Sequence, residues 1–237
     1  MSTDRNRPTI DLRPLKFSVF ECDQPITPEA QSFIDLRTVT MRKNGWRDIP
    51  DGEQDLDGYD ELGASTVYLL LHTESGELLA GTRLSRPSKP VDALMSSQMW
   101  GDVPDAISQN EHLKSLSSEA RIVDNTRLLL AEGASPEQIL ILLGAGFEVT
   151  DRQITPVFTI TDSLRNFIVA GDVHMTEVHA GDIGGEGCVF GFFSPKEIFE
   201  ESGDDAKALL NWGASLARGM ERLFPVPSAP ISSSTTT

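Results

Sequence analysis

Four charged residues fall where the surrounding pattern expects hydrocarbon. After Thr27-Pro28, the residues Ala30, Phe33, Ile34 and Met41 recur at helical spacing, and Arg37 sits in the middle of their stripe. An inward arginine needs a carboxylate, carbonyls or an anionic ligand to offset its desolvation; one at the domain edge snorkels to water instead. In the run Leu78–Ser85, alternation sets Arg83 beside Leu79 and Gly81, with Leu78, Ala80, Thr82 and Leu84 opposite. Glu119 and Arg121 lie two apart on a strand expected over 117–124 and so share a face. Together the four describe a polar cavity in a small sheet. A dense acidic cluster, Asp51, Glu53, Asp55, Asp57, Asp60 and Glu61, lies in between, without the spacing of an EF-hand. One reading is a solvated face. The other sets Trp46 beside Asp57-Gly58-Tyr59-Asp60, where aromatic surface and carboxylates would hold a cationic small molecule.

Positioning these residues requires a sheet. Leu15, Phe17 and Val19 alternate as an opening strand, and Thr27-Pro28 starts a helix running to about Met41. Residues 43–63 read as a long loop. TVYLLLHT (66–73) and LLAGTRLS (78–85) flank a Glu-Ser-Gly-Glu turn, an antiparallel hairpin. Ser135-Pro136-Glu137-Gln138 is a capping-box pattern opening a helix to about Thr150. ITPVFTIT (154–161) is a strand, followed by a short helix from Ser163 to Ala170. HMTEVHA and CVFGFF surround a glycine-rich loop, and Ser194-Pro195-Lys196-Glu197 caps a further helix. Leu209, Gly213, Leu216, Met220 and Leu223 form the stripe of a last one. Antiparallel pairs mixed with helices make an α+β protein.

The chain has 237 residues with 36 acidic against 20 basic side chains, a net charge of −16. That length suits one domain, read as 14–223, between a flexible arm (1–13) and a disordered tail (224–237). No apolar run approaches the ~20 residues of a membrane span, and the first residues carry no apolar signal, which implies a cytoplasmic protein without a membrane partner. The negative field argues against nucleic acid. Cys22 and Cys188 suit reduced thiols. Scattered histidines give no metal site. Gly144-Ala145-Gly146 lacks a third glycine for a dinucleotide fingerprint, Gly181–Gly187 lacks a lysine for phosphate, and Gly213-Ala214-Ser215-Leu216-Ala217 lies in helical periodicity, unlike a nucleophile elbow.

The order Arg37, Trp46, Asp57-Gly58-Tyr59-Asp60, Gly81-Thr82-Arg83-Leu84, then Glu119 and Arg121, resembles the acyl-homoserine-lactone (autoinducer) synthase family over roughly residues 15 to 193. The resemblance implies a single N-acetyltransferase-like domain, a twisted, mixed but mostly antiparallel sheet with helices on both faces. It implies an acyltransferase of quorum sensing that moves an acyl chain from a thioester, on acyl carrier protein or coenzyme A, to the amine of S-adenosylmethionine. Lactonisation then expels methylthioadenosine. No cofactor is implied; adenosylmethionine is a substrate. By position, Arg37, Trp46, Asp57 and Asp60 shape the adenosylmethionine site. Arg83 and Arg121 join Glu119 in an ionic network, with Glu119 as the base for the amine proton. The acyl chain enters between the strands at 119–124 and 154–161, with Phe158, Met41 and Trp100 at its pocket. Two features depart from the family. Met41 stands where a phenylalanine is usual, and the family's glutamate and arginine are three residues apart, whereas Glu119 and Arg121 are two apart. The spacing keeps two other readings open: acylation of a different amine or amino acid without lactonisation, or a non-catalytic binding relative. Arg152 and Arg165 are the basic residues that would dock an acidic carrier protein.

Overall fold

Short runs of β-branched and large apolar residues build one seven-stranded sheet. The computed structural model describes residues 14–22, 24–58, 60, 66–86, 109–118, 121–150, 154–183 and 186–224. The strands are β1 (Leu15–Glu21), β2 (Thr66–Thr73), β3 (Leu78–Ser85), β4 (Ile122–Leu130), β5 (Thr155–Thr161), β6 (Thr176–Ile183) and β7 (Glu186–Phe192), in the order β1-β2-β3-β4-β5-β7-β6. Neighbours are antiparallel except β4 and β5, which run parallel. Every residue of β2 is buried, so its unbroken apolar run marks a strand covered on both faces.

Helices cover those faces. α1 (Pro28–Lys43) packs Phe33, Ile34 and Met41 on one side with Tyr68 and Leu70. α2 (Glu111–Ser118) covers the same side further along, through Leu113 and Leu116 against Val157, Phe190 and Phe192. α3 (Glu137–Val149) crosses the opposite face between β4 and β5, and α6 (Asp204–Leu216) lies against it. The short α4 (Asp162–Ala170) and α5 (Glu197–Glu201) complete the described helices, α4 being capped by the Thr161 hydroxyl. The mixed, mostly antiparallel sheet between helices is the expected α+β architecture.

Two glycine contacts set how closely the layers approach. A Cβ on Gly81 would lie 2.5 Å from Phe33 Cδ2, so α1 rests directly on β3 at this point. A Cβ on Gly144 would lie 2.0 Å from the Leu210 carbonyl oxygen, and one on Gly213 1.9 Å from that of Ile141. α3 and α6 therefore touch backbone to backbone. Gly81→Ala should displace Phe33 and with it α1, lowering stability by about 1–3 kcal/mol in urea titration; an unchanged midpoint would refute this contact.

The structure corrects several boundaries. The strand expected over 117–124 is the end of α2, then β4 from Ile122 to Leu130. Leu113 and Leu116 at i, i+3 form a helix face, and Asn110 Oδ1 caps it by accepting from the Leu113 N–H at 3.1 Å. The sequence pattern breaks off in β4 because its middle, Asp124-Asn125-Thr126, is polar yet buried and is followed by the half-buried Arg127. The last helix ends at Leu216, before Gly219 at φ +88°, so Met220 is exposed and leaves the expected stripe. Leu79 faces the α3 side, because the β2–β3 register slips beside it. In the capping box, Gln138 accepts from the Ser135 N–H at 3.1 Å, while the Ser135 hydroxyl turns to Glu137. Phe224, assigned to the tail, is buried in the main core; the rest of that tail and the arm at 1–13 lie outside the described residues.

Candidate functional site

α1 begins at Thr27, whose hydroxyl accepts from the Ala30 N–H, with Pro28 in the first turn. Ten residues on, that register sends Arg37 into the domain with no exposed surface, so it does not snorkel. The same helix pins down the acidic loop. Thr38 Oγ1 accepts from the Asp55 N–H at 2.8 Å, and Arg42 donates to the carbonyls of Ile49 and Pro50. Thus the segment Asp55–Asp60 has a fixed place beneath α1.

There it forms an ion network. Arg37 donates to both oxygens of Asp60 (3.0 and 3.1 Å) and to Asp55 (3.2 Å). Arg83 donates to both oxygens of Asp57 (2.8 and 3.1 Å), to Thr126 Oγ1 (3.3 Å) and lies 2.9 Å from Asp60. Arg127 binds Asp55 at 2.9 Å and Asp57 at 3.5 Å, and Arg47 binds Asp55 at 2.5 Å. The Tyr68 hydroxyl donates to Asp60 at 2.8 Å. Four guanidiniums thus meet three carboxylates and leave one positive charge in excess.

The electrostatics follow from burial against these partners. Burial alone would raise the Asp60 carboxyl, but hydrogen bonds and charge from Arg37, with the charge of Arg83, hold it well below the usual carboxylate range. Asp55 is lowered in the same way, its burial outweighed by Arg127 and Arg37. Burial, then the Asp60 charge, pushes the Tyr68 hydroxyl far up. For Arg127, burial prevails over Asp55 and lowers its guanidinium from the ordinary value.

Arg127 owes its position to a β-bulge. Gly81 pairs with Leu129 but Arg83 pairs with Thr126, so β4 carries one residue more than β3 there, and Arg127 takes φ 59°. β4 and β5 pair only from Ile122–Asn125 against Thr155–Phe158 and then part. A cavity of about 590 Å³ occupies the split. Its charged end presents Trp46, Arg47, Asp57 and Arg127; its apolar end is formed by Leu128, Leu130, Ile139, Ile160, Leu164 and Phe167.

Solved structures share this fold. The AHL synthase LasI superposes with a TM-score of 0.57 at 15% identity, over 76% of this chain and 89% of that one. TofI, solved with an inhibitor and MTA, gives 0.59 at 18% identity over 85% and 99%. FeeM, an N-acyl amino acid synthase from uncultured soil microbes, gives 0.52 at 12% identity over 79% and 96%. The chain has the fold of these synthases. No family model matches the sequence, and no curated protein matches it either. The fold that the sequence resemblance implies is thereby borne out in three dimensions.

Within that fold the sequence-derived residues divide. Arg37, Asp57, Asp60 and Arg83 meet in one network, and Trp46 and Met41 line the cavity with Asp57. Phe158 does not reach the cavity wall; it is buried on the α3 side, stacked on Phe193 at 4.4 Å, because its neighbours Thr159 and Ile160 form the wall instead. Arg121 precedes β4, several residues from Thr126, and its carbonyl accepts from the Thr155 N–H; the described ion pairs run through Arg127 and Arg47. Glu119, Trp100 and Arg152 lie outside the described residues. Arg165, expected to meet a carrier protein, is held by Glu177 at 2.6 Å. The acidic cluster was read as a receptor for positive charge, yet Asp55, Asp57 and Asp60 are already matched by arginines. Arg47, Asp55, Tyr68 and Arg127 were missed. Arg127 had a signal: an arginine among the leucines of NTRLLL, hidden once the strand was ended at 124.

Proposed function

We propose that this chain is an N-acyltransferase that moves an acyl group from a thioester to the amine of S-adenosylmethionine, followed by closure to an N-acyl-homoserine lactone. The observation that carries this reading is the single cavity at the β4–β5 split, charged at one end and apolar at the other. An amino acid's carboxylate fits the positive excess of Arg47 and Arg127, and Trp46 offers an aromatic face to the cationic part of the substrate. The acyl chain takes the apolar end. The divergence of β5 supports the chemistry between them: its pairing with β4 ends at Asn125, so the β4 N–H groups that face β5 beyond that point lie outside the β4–β5 ladder, where they can polarise a thioester carbonyl.

In the first step the amine nitrogen bonds to the carbonyl carbon, the C–S bond breaks and the thiol leaves. Glu119 is the proposed acceptor of the amine proton, directly or through water. In the second, the carboxylate oxygen attacks the carbon attached to the sulfonium, that C–S bond breaks, and methylthioadenosine leaves. The domain at 14–223 carries both steps. None of the described helices is long and apolar enough to cross a membrane, and we place the reaction in the cytoplasm with its substrates. Among the solved neighbours, BjaI is titled a CoA-dependent synthase, in complex with SAM and isopentyl-CoA. With Arg165 engaged by Glu177 and an overall charge of −16, repulsion of an acidic carrier protein favours a coenzyme A thioester here too.

A second reading has its own support, since the positive excess at Arg47 and Arg127 accepts the carboxylate of any amino acid. Purified protein given adenosylmethionine, free amino acids and panels of acyl-CoA and acyl-carrier-protein separates the two. Acyl-lactone together with methylthioadenosine is expected; an acyl amino acid without methylthioadenosine would replace the first reading with the second, and no transfer on any panel would overturn both. Leu164→Trp fills the apolar end and should lower turnover of long-chain donors at least about tenfold relative to short-chain ones. Equal effects across chain lengths would remove the acyl group from that end.

A further inference from the structure

On the other side of Asp60 the structure holds a second cavity, of about 580 Å³, which the proposed reaction does not use. It opens between the end of β1, the loop leading into α1, and the segment after α6. Phe20, Ala30, Ile34, Leu223 and Phe224 make its walls. Its rim explains an anomaly of the surface. Five large apolar side chains are exposed among the described residues, and three of them, Ile26 (57%), Leu56 (41%) and Met220 (37%), border this opening. Exposed hydrocarbon gathered around a concavity of ligand size marks a binding site more often than a chance surface.

The floor sets the chemistry of the occupant. Asp60 is its only deep carboxylate, and its oxygens already take Arg37 twice, Arg83, the Tyr68 hydroxyl and the Asp57 N–H. No lone pair is left for a ligand cation. Tyr68 spends its proton on Asp60, and its oxygen already accepts from Arg37 at 3.4 Å, so both roles of the hydroxyl are taken within the protein. Burial pushes the Cys22 thiol up to about 11, so it stays protonated and neutral at pH 7. Glu21, Glu221 and Arg222 lie exposed at the mouth, where water screens them. A ligand charge of either sign would lose its hydration at the floor without gaining a partner.

We infer that this second cavity binds an uncharged amphiphile: an apolar chain or ring seated against the walls, with a neutral polar group, such as a primary amide, left at the mouth.

The two cysteines of the chain report on the two cavities separately, since Cys22 lines the second and Cys188 the first. Alkylation by iodoacetamide, followed at each cysteine by mass spectrometry, is measured with octanamide, octylammonium or octanoate as probe. Octanamide should slow alkylation of Cys22 saturably, at least fivefold, and the two charged probes should need at least tenfold higher concentrations for the same protection. Ile26→Asp, an exposed change, should weaken the octanamide effect at least tenfold without moving the melting temperature. Unprotected Cys22, protection confined to Cys188, equal protection by the charged probes, or an Ile26→Asp variant that protects as well as the parent would each overturn the assignment. None of these outcomes depends on whether the chain transfers acyl groups.

Discussion

Gly213→Ala should destabilise the folded chain by about 3 kcal/mol or more, enough to lower the melting temperature by roughly 6–12 °C in a domain of this size. Helix propensity alone predicts the opposite, since alanine is favoured over glycine by about 1 kcal/mol inside a helix. The contact decides the sign. The new Cβ would lie 1.9 Å from the Ile141 carbonyl oxygen and 2.9 Å from the Ala145 nitrogen, both backbone atoms of α3 that no rotamer change can move. Relief requires α3 and α6 to separate, which opens the packing of Leu140, Leu143, Leu209 and Leu210 between them. Gly144→Ala meets Leu210 in the same way at 2.0 Å, so the double variant should cost less than the two single losses together, because the helices need separate only once. Urea titration of the three variants tests this; a Gly213→Ala midpoint at or above the parent's would mean that the helices do not touch as described.

Those two glycines also show where the sequence was legible and where it was not. Gly144-Ala145-Gly146 reads as part of a helix and Gly213 as part of the buried stripe of the last one, but nothing local says that two glycines 69 residues apart meet in one helix contact. Strand β1 and helix α1 are readable because each carries one clean period, β2 and β3 because two apolar runs flank a tight turn, and α3 because a capping-box pattern opens it. β4 is not. Its central Asp124, Asn125 and Thr126 are buried polar residues and Arg127 follows them half-buried, so the pattern that marks a strand fails at the point where the bulge and the cavity are built. The candidate site divides along the same line. Arg37 and Arg83 betrayed themselves as charges on apolar faces. Arg127 lay in the misread strand, and Asp55 was indistinguishable from its acidic neighbours until Thr38 and Arg42 were seen to hold it beneath α1.

Asp60→Asn should remove both stability and turnover, although it changes one atom. Asp60 Oδ1 faces Arg37, Arg83 and the Tyr68 hydroxyl, while Oδ2 faces Arg37 and the Asp57 N–H. Whichever way the asparagine turns, its NH₂ meets at least two donors, and Arg37, fully buried, loses half of its compensating charge. Breaking a buried pair from one side costs about 3–5 kcal/mol. Arg37→Lys should not rescue the geometry, since a single ammonium cannot bridge Asp60 and Asp55 as the guanidinium does. The pH dependence separates lost charge from lost shape. The folded-state carboxyl of Asp60 lies below its unfolded value, so its contribution is fully present above about pH 4 and fades as pH falls toward the folded value. The stability gap between parent and Asp60→Asn should therefore be widest near neutrality and narrow progressively below pH 4. A gap that stays constant down to pH 2 would mean that Asp60 acts by shape alone, and the network would then be packing with charges attached rather than an electrostatic scaffold for the cavity.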